Sequence, residues 1–163
     1  MQTMLLQAPC LFGLERYVKE EIYDLGYEID DVMDGRVTFT GDLEAVARAN
    51  VHLRCAERVM LLLARFPART FEELYQGVRG VDWPAFAARE DAVLVTGSSV
   101  KSTLTSIPAC QRIVKKAVVD KLGGVKVDVP VDMDYDDPGQ DLSIHVQKGY
   151  QHLNGYQTMG VFR

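Results

Sequence analysis

Basic and hydroxyl side chains concentrate in a polar loop, residues 97–107, and in the segment 108–122 that follows it. Lysine and arginine bind phosphate oxygens as charges, and serine hydroxyls complete such contacts. The residues that could bind a phosphate backbone in this way are Lys101, Arg112, Lys115 and Lys116, with Ser99 and Ser102 as secondary contacts. A polar loop followed by a solvated helix face would have the same pattern, so spacing alone leaves both interpretations open.

The distribution of charge favours an anionic partner for this segment. The chain has 163 residues and a net charge of −5. Residues 97–126 nevertheless contain six basic residues and one acidic residue, which gives +5 in that segment and −10 over the remainder. The protein can therefore have one face that attracts an anion, although the rest of its surface repels anions.

Patterns of the common catalytic and metal sites are missing from the sequence. It has no glycine-rich phosphate loop, and its three histidines are not at metal-ligand spacing with one another or with a cysteine. Three cysteines without a CxxC spacing make a disulfide framework an unfavourable interpretation. The acidic stretch 132–137 lacks the glycine and the distal glutamate of a calcium loop. We therefore expect no catalytic residue, no metal and no cofactor in this chain.

The order of elements in the N-terminal part predicts a ferredoxin-like unit. Hydrophobic periodicity predicts a strand over 3–10, helices over 14–25 and 43–51, and a buried strand over 59–64. Asp34-Gly35 predicts a hairpin between strands over 28–33 and 36–40. The resulting order, β-α-β-β-α-β, is that of a split βαβ unit.

The elements predicted after residue 67 position the basic segment. Thr70 and Glu73 form a capping box for a helix that ends at Gly80, and a strand is predicted over 92–96. Pro108 begins a helix over 108–122. Its apolar stripe leaves the basic side chains on the opposite face. Strict alternation predicts one strand over 125–135, which forms a hairpin with 142–146, whereas residues 148–163 have no clear period.

The run SSVKSTLTSIPACQRIVKKAVVDKL (98–122) resembles the THUMP segment of bacterial RNA methyltransferases of the YpsC/RlmL-like group, which modify a guanine N2 in large-subunit ribosomal RNA. FGLERYVKEEIYDLGY (12–27) and DGRVTFTGD (34–42) resemble the opening helix and the hairpin of that family. Residues 49–86 resemble its connecting region. The resemblance covers roughly residues 1–125, and the chain diverges from the family pattern from about residue 126.

This resemblance implies an α+β fold, in which a ferredoxin-like unit (1–67) packs on a THUMP α/β module (68–163). It implies structured RNA, with ribosomal RNA expected, as the partner. The RNA would be presented to a covalently linked methyltransferase domain that binds S-adenosylmethionine, since this chain contains no catalytic domain. Two alternatives stay open: a THUMP module of another RNA-modifying enzyme, such as one for tRNA thiolation, and a protein-interaction domain.

The expected location is the cytoplasm. The sequence has no run of about 18 apolar residues, the length that a membrane-spanning helix needs. Its N-terminus has no basic region, and Gln7, Pro9 and Gly13 interrupt the apolar stretch, so we expect no signal peptide and no membrane partner.

Overall fold

A computed structural model describes residues 3–88, 91, 93–139 and 142–161. The chain divides into two units, Met1–Arg65 and Phe66–Arg163. Each unit contains both helices and strands, which confirms the α+β class. The domain limits of 1–67 and 68–163 stay a prediction. Among the described residues, no helix is both long enough and apolar enough to cross a membrane.

In the first unit, the described residues from position 3 onward form a four-stranded antiparallel sheet with two helices. Its elements are β1 (Met4–Pro9), α1 (Glu15–Asp24), β2 (Glu28–Met33), β3 (Arg36–Gly41), α2 (Leu43–His52) and β4 (Met60–Leu61), and the sheet order is β2-β3-β1-β4. One cluster of buried residues forms the core, because α1 and α2 each present an apolar stripe to the sheet. Its members include Leu6, Val18, Ile22, Val37, Phe39 and Ala49.

The turn of the β2–β3 hairpin is hydrogen-bonded to Glu15 in the first turn of α1. Gly35 has a φ of 75°, a left-handed conformation that suits glycine in a hairpin turn. Its N–H donates to the Glu15 carboxylate at 2.7 Å, and the Gly13 N–H donates to the same group at 2.8 Å. The Gly35 hydrogen bond is the main cause that lowers the pKa of Glu15. The predicted hairpin at Asp34-Gly35 is confirmed.

The predicted buried strand over 59–64 is wrong in both length and burial. Only Met60–Leu61 pairs with β1, and both side chains are exposed. The strand lies at the edge of the sheet, and the Leu62 N–H donates to Leu5 O at 2.9 Å just beyond it. An edge strand has a partner on one side only, so an apolar run there need not be buried.

The described residues of the second unit form three helices and two small antiparallel sheets. Its elements are α3 (Phe71–Arg79), a 3-10 turn (Trp83–Ala85), α4 (Ile107–Lys121), β5 (Val125–Val129), β6 (Met133–Asp137), β7 (Leu142–Val146), β8 (Gly149–Leu153) and α5 (Gly155–Val161). β5 pairs with β8, and β6 pairs with β7. One core cluster contains Val78, Ala117 and Val118, and a second contains Val129, Val146 and Leu153.

Local capping fixes where α3 and α4 begin and end. The Thr70 hydroxyl accepts from the Glu73 N–H at 3.1 Å, and the Glu73 carboxylate accepts from the Arg69 N–H at 2.6 Å. The N-cap at Thr70 is therefore confirmed, whereas the Glu73 carboxylate binds the N–H of Arg69 and not that of Thr70, which the predicted capping box requires. Pro108 lies in the first turn of α4, as expected, and the helix is followed by Gly123 and Gly124 with φ values of 82° and 86°.

The predicted strand over 92–96 does not form within the described residues 93–96; Ala92 lies outside the described part of the chain. Val93 and Val95 are half-buried and alternate with exposed neighbours, so the burial pattern of a strand is present. The backbone has no strand partner there, and the Gln111 side-chain amide donates to Val95 O at 3.0 Å.

The single strand predicted over 125–135 is also wrong. It is interrupted after Val129, because Pro130 has no N–H for a ladder and the chain changes partner from β8 to β7. The predicted hairpin between this region and 142–146 is confirmed for β6 and β7. Residues 149–153 and 155–161, for which the sequence predicted no structure, form β8 and α5.

Candidate functional site

Helix α4 has one face in the core and another in solvent. Ala117 and Val118 are buried against α3 and the segment near Val93. Arg112 and Lys115 are exposed and lie three residues apart, so they project from the same side of the helix. The structure therefore places these two cations together, as the spacing predicted.

A cavity of about 410 Å³ opens beside Arg112 and Lys115, within the second unit. Both side chains line it, together with Asp91, Val93 and residues from α5 and the start of β5. Of the ten described residues that line it, five are apolar. The lining combines apolar side chains with two positive charges, which suits a ligand that has both an apolar part and an anionic part.

Lys116, although adjacent to Lys115, has different surroundings. It is half-buried, and its Nζ lies 5.0 Å from the centroid of the Tyr75 ring and 6.0 Å from that of Tyr156. A cation over an aromatic face is attracted by the negative face of the ring. Lys116 therefore contributes to the contacts among α3, α4 and α5 besides adding a positive charge.

The one acid of the basic segment, Asp120, accepts two hydrogen bonds from other helices. The Tyr75 hydroxyl donates to its carboxylate at 2.7 Å, and the Gly155 N–H donates at 2.8 Å. Burial, followed by the hydrogen bond to Asp120, raises the pKa of Tyr75. A Cβ on Gly155 would lie 2.7 Å from Lys116 O, so glycine permits this close approach of α5 to α4.

The loop before α4 uses its hydroxyls for its own conformation. The Ser99 hydroxyl donates to Leu104 O at 2.7 Å, and the Ser102 hydroxyl accepts from the Leu104 N–H at 3.1 Å. Both serines line a smaller depression of about 210 Å³. Lys101 is exposed and has a φ of 51°, which holds its side chain at a tight bend of the loop.

The six predicted residues thus fall into three groups: Arg112 and Lys115 at the cavity, Lys116 on aromatic rings, and Lys101, Ser99 and Ser102 in the loop. Their role in RNA binding stays a prediction. No local pattern predicted the contacts that Tyr75 and the α5 residues make with α4, because these depend on long-range packing.

His145 belongs to an exposed cross-strand cluster on β6 and β7. Its Nδ1 lies 2.5 Å from Asp134, and its Nε2 lies 2.8 Å from the Ser143 hydroxyl. That hydroxyl donates to Asp136 at 2.5 Å, so its proton is directed to a carboxylate instead of to the imidazole. Asp134 faces His145 and Asp136 faces Ser143 in the strand register, which explains the cluster as cross-strand pairing.

The hydrogen bond to Asp134 is the largest cause of a raised pKa for His145, followed by the charge of Asp136. In the part of the chain that the structure describes, no group of three or more histidine, cysteine, aspartate or glutamate side chains is arranged to hold a metal ion.

Comparison with protein families gives two matches that together cover most of the chain. Residues 6–60 match the RlmL ferredoxin-like domain, and residues 68–148 match the THUMP domain. The second match contains α3, α4 and the strands β5 to β7, and therefore all six predicted site residues.

Two curated relatives represent this similarity. The chain is 47% identical over 120 residues to a Bacillus subtilis (strain 168) protein named "Putative RNA methyltransferase YpsC". The aligned region covers 74% of this chain and 30% of that protein. The chain is 31% identical over 164 residues to the ribosomal RNA large subunit methyltransferase K/L of Pseudomonas putida (strain ATCC 700007), which covers 93% of this chain and 22% of that protein. The chain thus spans less than a third of either relative.

Two solved structures have the same fold. One is a Listeria monocytogenes protein described as a "predicted N6-adenine-specific DNA methylase", with a TM-score of 0.72 and 43% identity. The other is SMU.472, "a putative methyltransferase complexed with SAH", with a TM-score of 0.68 and 41% identity. Each match covers 75% of this chain and 32% of the other chain.

Proposed function

Because the chain belongs to the bacterial RNA methyltransferase family that combines an RlmL-type ferredoxin-like domain with a THUMP domain, we propose that it binds structured RNA. The expected RNA is ribosomal, since the Pseudomonas putida relative is named for ribosomal RNA. The chain would present this RNA to a catalytic domain in the parent protein.

The observation that carries the proposal is the exposed pair Arg112 and Lys115 within the THUMP match. Both cations lie on one side of α4, beside a cavity that can accept more than a phosphate. The single acid of the segment, Asp120, is engaged with Tyr75 and Gly155. Its hydrogen bonds hold the carboxylate toward the other helices, which favours an anion at the exposed cations.

Physical reasons favour recognition of the structure of an RNA over recognition of its base sequence. An A-form helix has a narrow major groove that side chains cannot read, so proteins recognise its phosphates, its 2′-hydroxyl groups and its unpaired bases. Arginine and lysine on a helix face supply the phosphate contacts, which give position without base specificity. Such a surface suits a module that captures RNA while another domain selects the nucleotide.

The names of the relatives include both RNA and DNA as methyl acceptors. We propose RNA, because both of the curated relatives described above are named for RNA. The binding experiment therefore includes a DNA hairpin of the same sequence as a competitor.

We also propose that the catalytic residues for methyl transfer, and the binding site for the S-adenosylmethionine that it consumes, lie outside residues 1–163. The sequence has no glycine-rich loop for that cofactor, and the chain spans 30% or less of the two curated relatives. Residues of this chain would bind and orient the RNA. We further propose that the parent protein works in the cytoplasm.

Fluorescence anisotropy with a labelled RNA hairpin tests the proposed function. We expect Arg112→Ala/Lys115→Ala to weaken binding by about tenfold or more, because two phosphate contacts are lost. The matched control is Arg16→Ala/Lys19→Ala, which removes the same charge from positions three apart on α1. The proposal is wrong if both double variants weaken binding equally, or if the DNA hairpin competes as well as the RNA hairpin.

A further inference from the structure

The cavity beside Arg112 and Lys115 has an apolar lining that a bound phosphate would not contact favourably. Its apolar lining consists of Val93, Val119, Leu122, Val125 and Met159. These side chains come from α4, the start of β5, α5 and the segment before the polar loop. Phosphates alone would gain nothing from such a wall, since apolar surface stabilises apolar ligand parts.

The charged lining of the cavity suits a ligand that has an anionic group. Arg112 and Lys115 supply two positive charges, and Asp91 supplies one carboxylate. The Asp91 carboxylate accepts from the Ala88 N–H at 2.8 Å and retains further lone pairs for a donor on a ligand. The planar guanidinium of arginine can also stack on a nucleobase.

We propose that this cavity takes the base of one unpaired nucleotide, while Arg112 and Lys115 bind the adjoining phosphate. The inference rests on the proposed RNA binding and names the part of the RNA that enters the site. A volume of about 410 Å³ lies in the range of small-molecule sites. A paired base cannot enter, because its faces are covered by stacking and its edge is paired.

The test compares two RNA hairpins that differ only in a three-nucleotide bulge. One bulge has ordinary bases, and the other has abasic residues, which keep the phosphates and remove the bases. For the wild-type chain we expect about tenfold tighter binding of the hairpin with bases, in line with the contribution of one stacked base. Val119→Phe, which fills the cavity, should reduce this ratio to about one.

Control variants separate the cavity from general effects. Val51→Phe adds the same ring to an exposed position on α2 and should leave the ratio at the wild-type value. Thr158→Leu fills the cavity from α5, and it replaces Val119→Phe if thermal melting shows that the latter does not fold.

Each outcome separates this inference from the proposed function. A ratio near one for the wild-type chain, with tight binding of both hairpins, overturns the cavity inference and leaves RNA binding through phosphates intact. A tenfold ratio that persists in folded Val119→Phe and Thr158→Leu also overturns it, because the base would then bind elsewhere. If neither hairpin binds, the proposed function fails and this inference fails with it.

Discussion

The ammonium group of Lys116 lies 5.0 Å from the centre of the Tyr75 ring, whereas its neighbour Lys115 lines an open cavity. The two lysines are adjacent in sequence, and α4 turns by about 100° per residue, so they project in different directions. Lys116 contributes to packing among the helices, and Lys115 has its charge exposed to a ligand. The two positions should therefore respond differently to the same substitution.

Lys116→Ala should lower the free energy of unfolding by about 0.5–1 kcal/mol, because it removes the cation from the Tyr75 ring. Lys115→Ala should change it by less than about 0.5 kcal/mol, since Lys115 is exposed. Urea denaturation followed by circular dichroism measures both variants. Equal stabilities of the two variants would contradict the packing role of Lys116.

Tyr75→Phe should destabilise the second unit by about 1–2 kcal/mol, because the Asp120 carboxylate loses a hydrogen bond at 2.7 Å. The folded state raises the pKa of Tyr75, so this contribution is complete below the ordinary tyrosine pKa and is lost as pH rises through the raised value. Tyr17→Phe, at an exposed position of α1, is the control. The assignment fails if the two variants lose equal stability at pH 7.

NMR titration of the His145 ring should give a pKa above the ordinary histidine value of 6.5. Asp134→Asn should move that pKa down, since it removes the first cause of the shift. The protonated imidazole is favoured in the folded hairpin. Its stabilisation is therefore present below the ordinary value and lost as pH rises through the raised one. An unchanged pKa in Asp134→Asn would contradict the hydrogen bond between Asp134 and His145.

Isothermal titration calorimetry of residues 1–163 with S-adenosylmethionine should give no saturable binding. The expected reason is that the cofactor loop of the parent protein lies outside this chain. SMU.472, whose structure is described as complexed with SAH, serves as the positive control. Micromolar binding to this chain would show that the cofactor site includes its residues.

Local patterns in the sequence predicted several elements of both units correctly. The Asp34-Gly35 turn, the apolar stripe of α1 with Val18 and Ile22, and the helix cap at Thr70 all depend on residues that are close in sequence. Each feature has a nearby physical cause, such as a left-handed turn conformation or a free helix N–H group. For that reason the corresponding elements are found where they were expected.

Partners that are far apart in sequence could not be predicted. Alternation over 125–135 indicated which side chains face inward, but it did not indicate that β5 pairs with β8 while β6 pairs with β7. Similarly, the sequence predicted Lys116 on the same exposed face as Lys115. The structure instead places its ammonium group over Tyr75, 41 residues earlier, and this contact depends on how α3 packs against α4. The spacing of residues along one helix determines the direction in which each side chain projects. It does not determine which residue of another element that side chain contacts.

The most direct test of RNA binding by α4 is the salt dependence of affinity for an RNA hairpin. The wild-type chain, Lys115→Ala and Lys19→Ala are titrated at several salt concentrations, and the slope of log affinity against log salt is compared. If Lys115 neutralises a phosphate, its removal should lower the magnitude of the slope by roughly 0.7–0.9, and Lys19→Ala should leave it unchanged. Equal changes of slope in the two variants would mean that net charge alone attracts the RNA, which would contradict a binding site on α4.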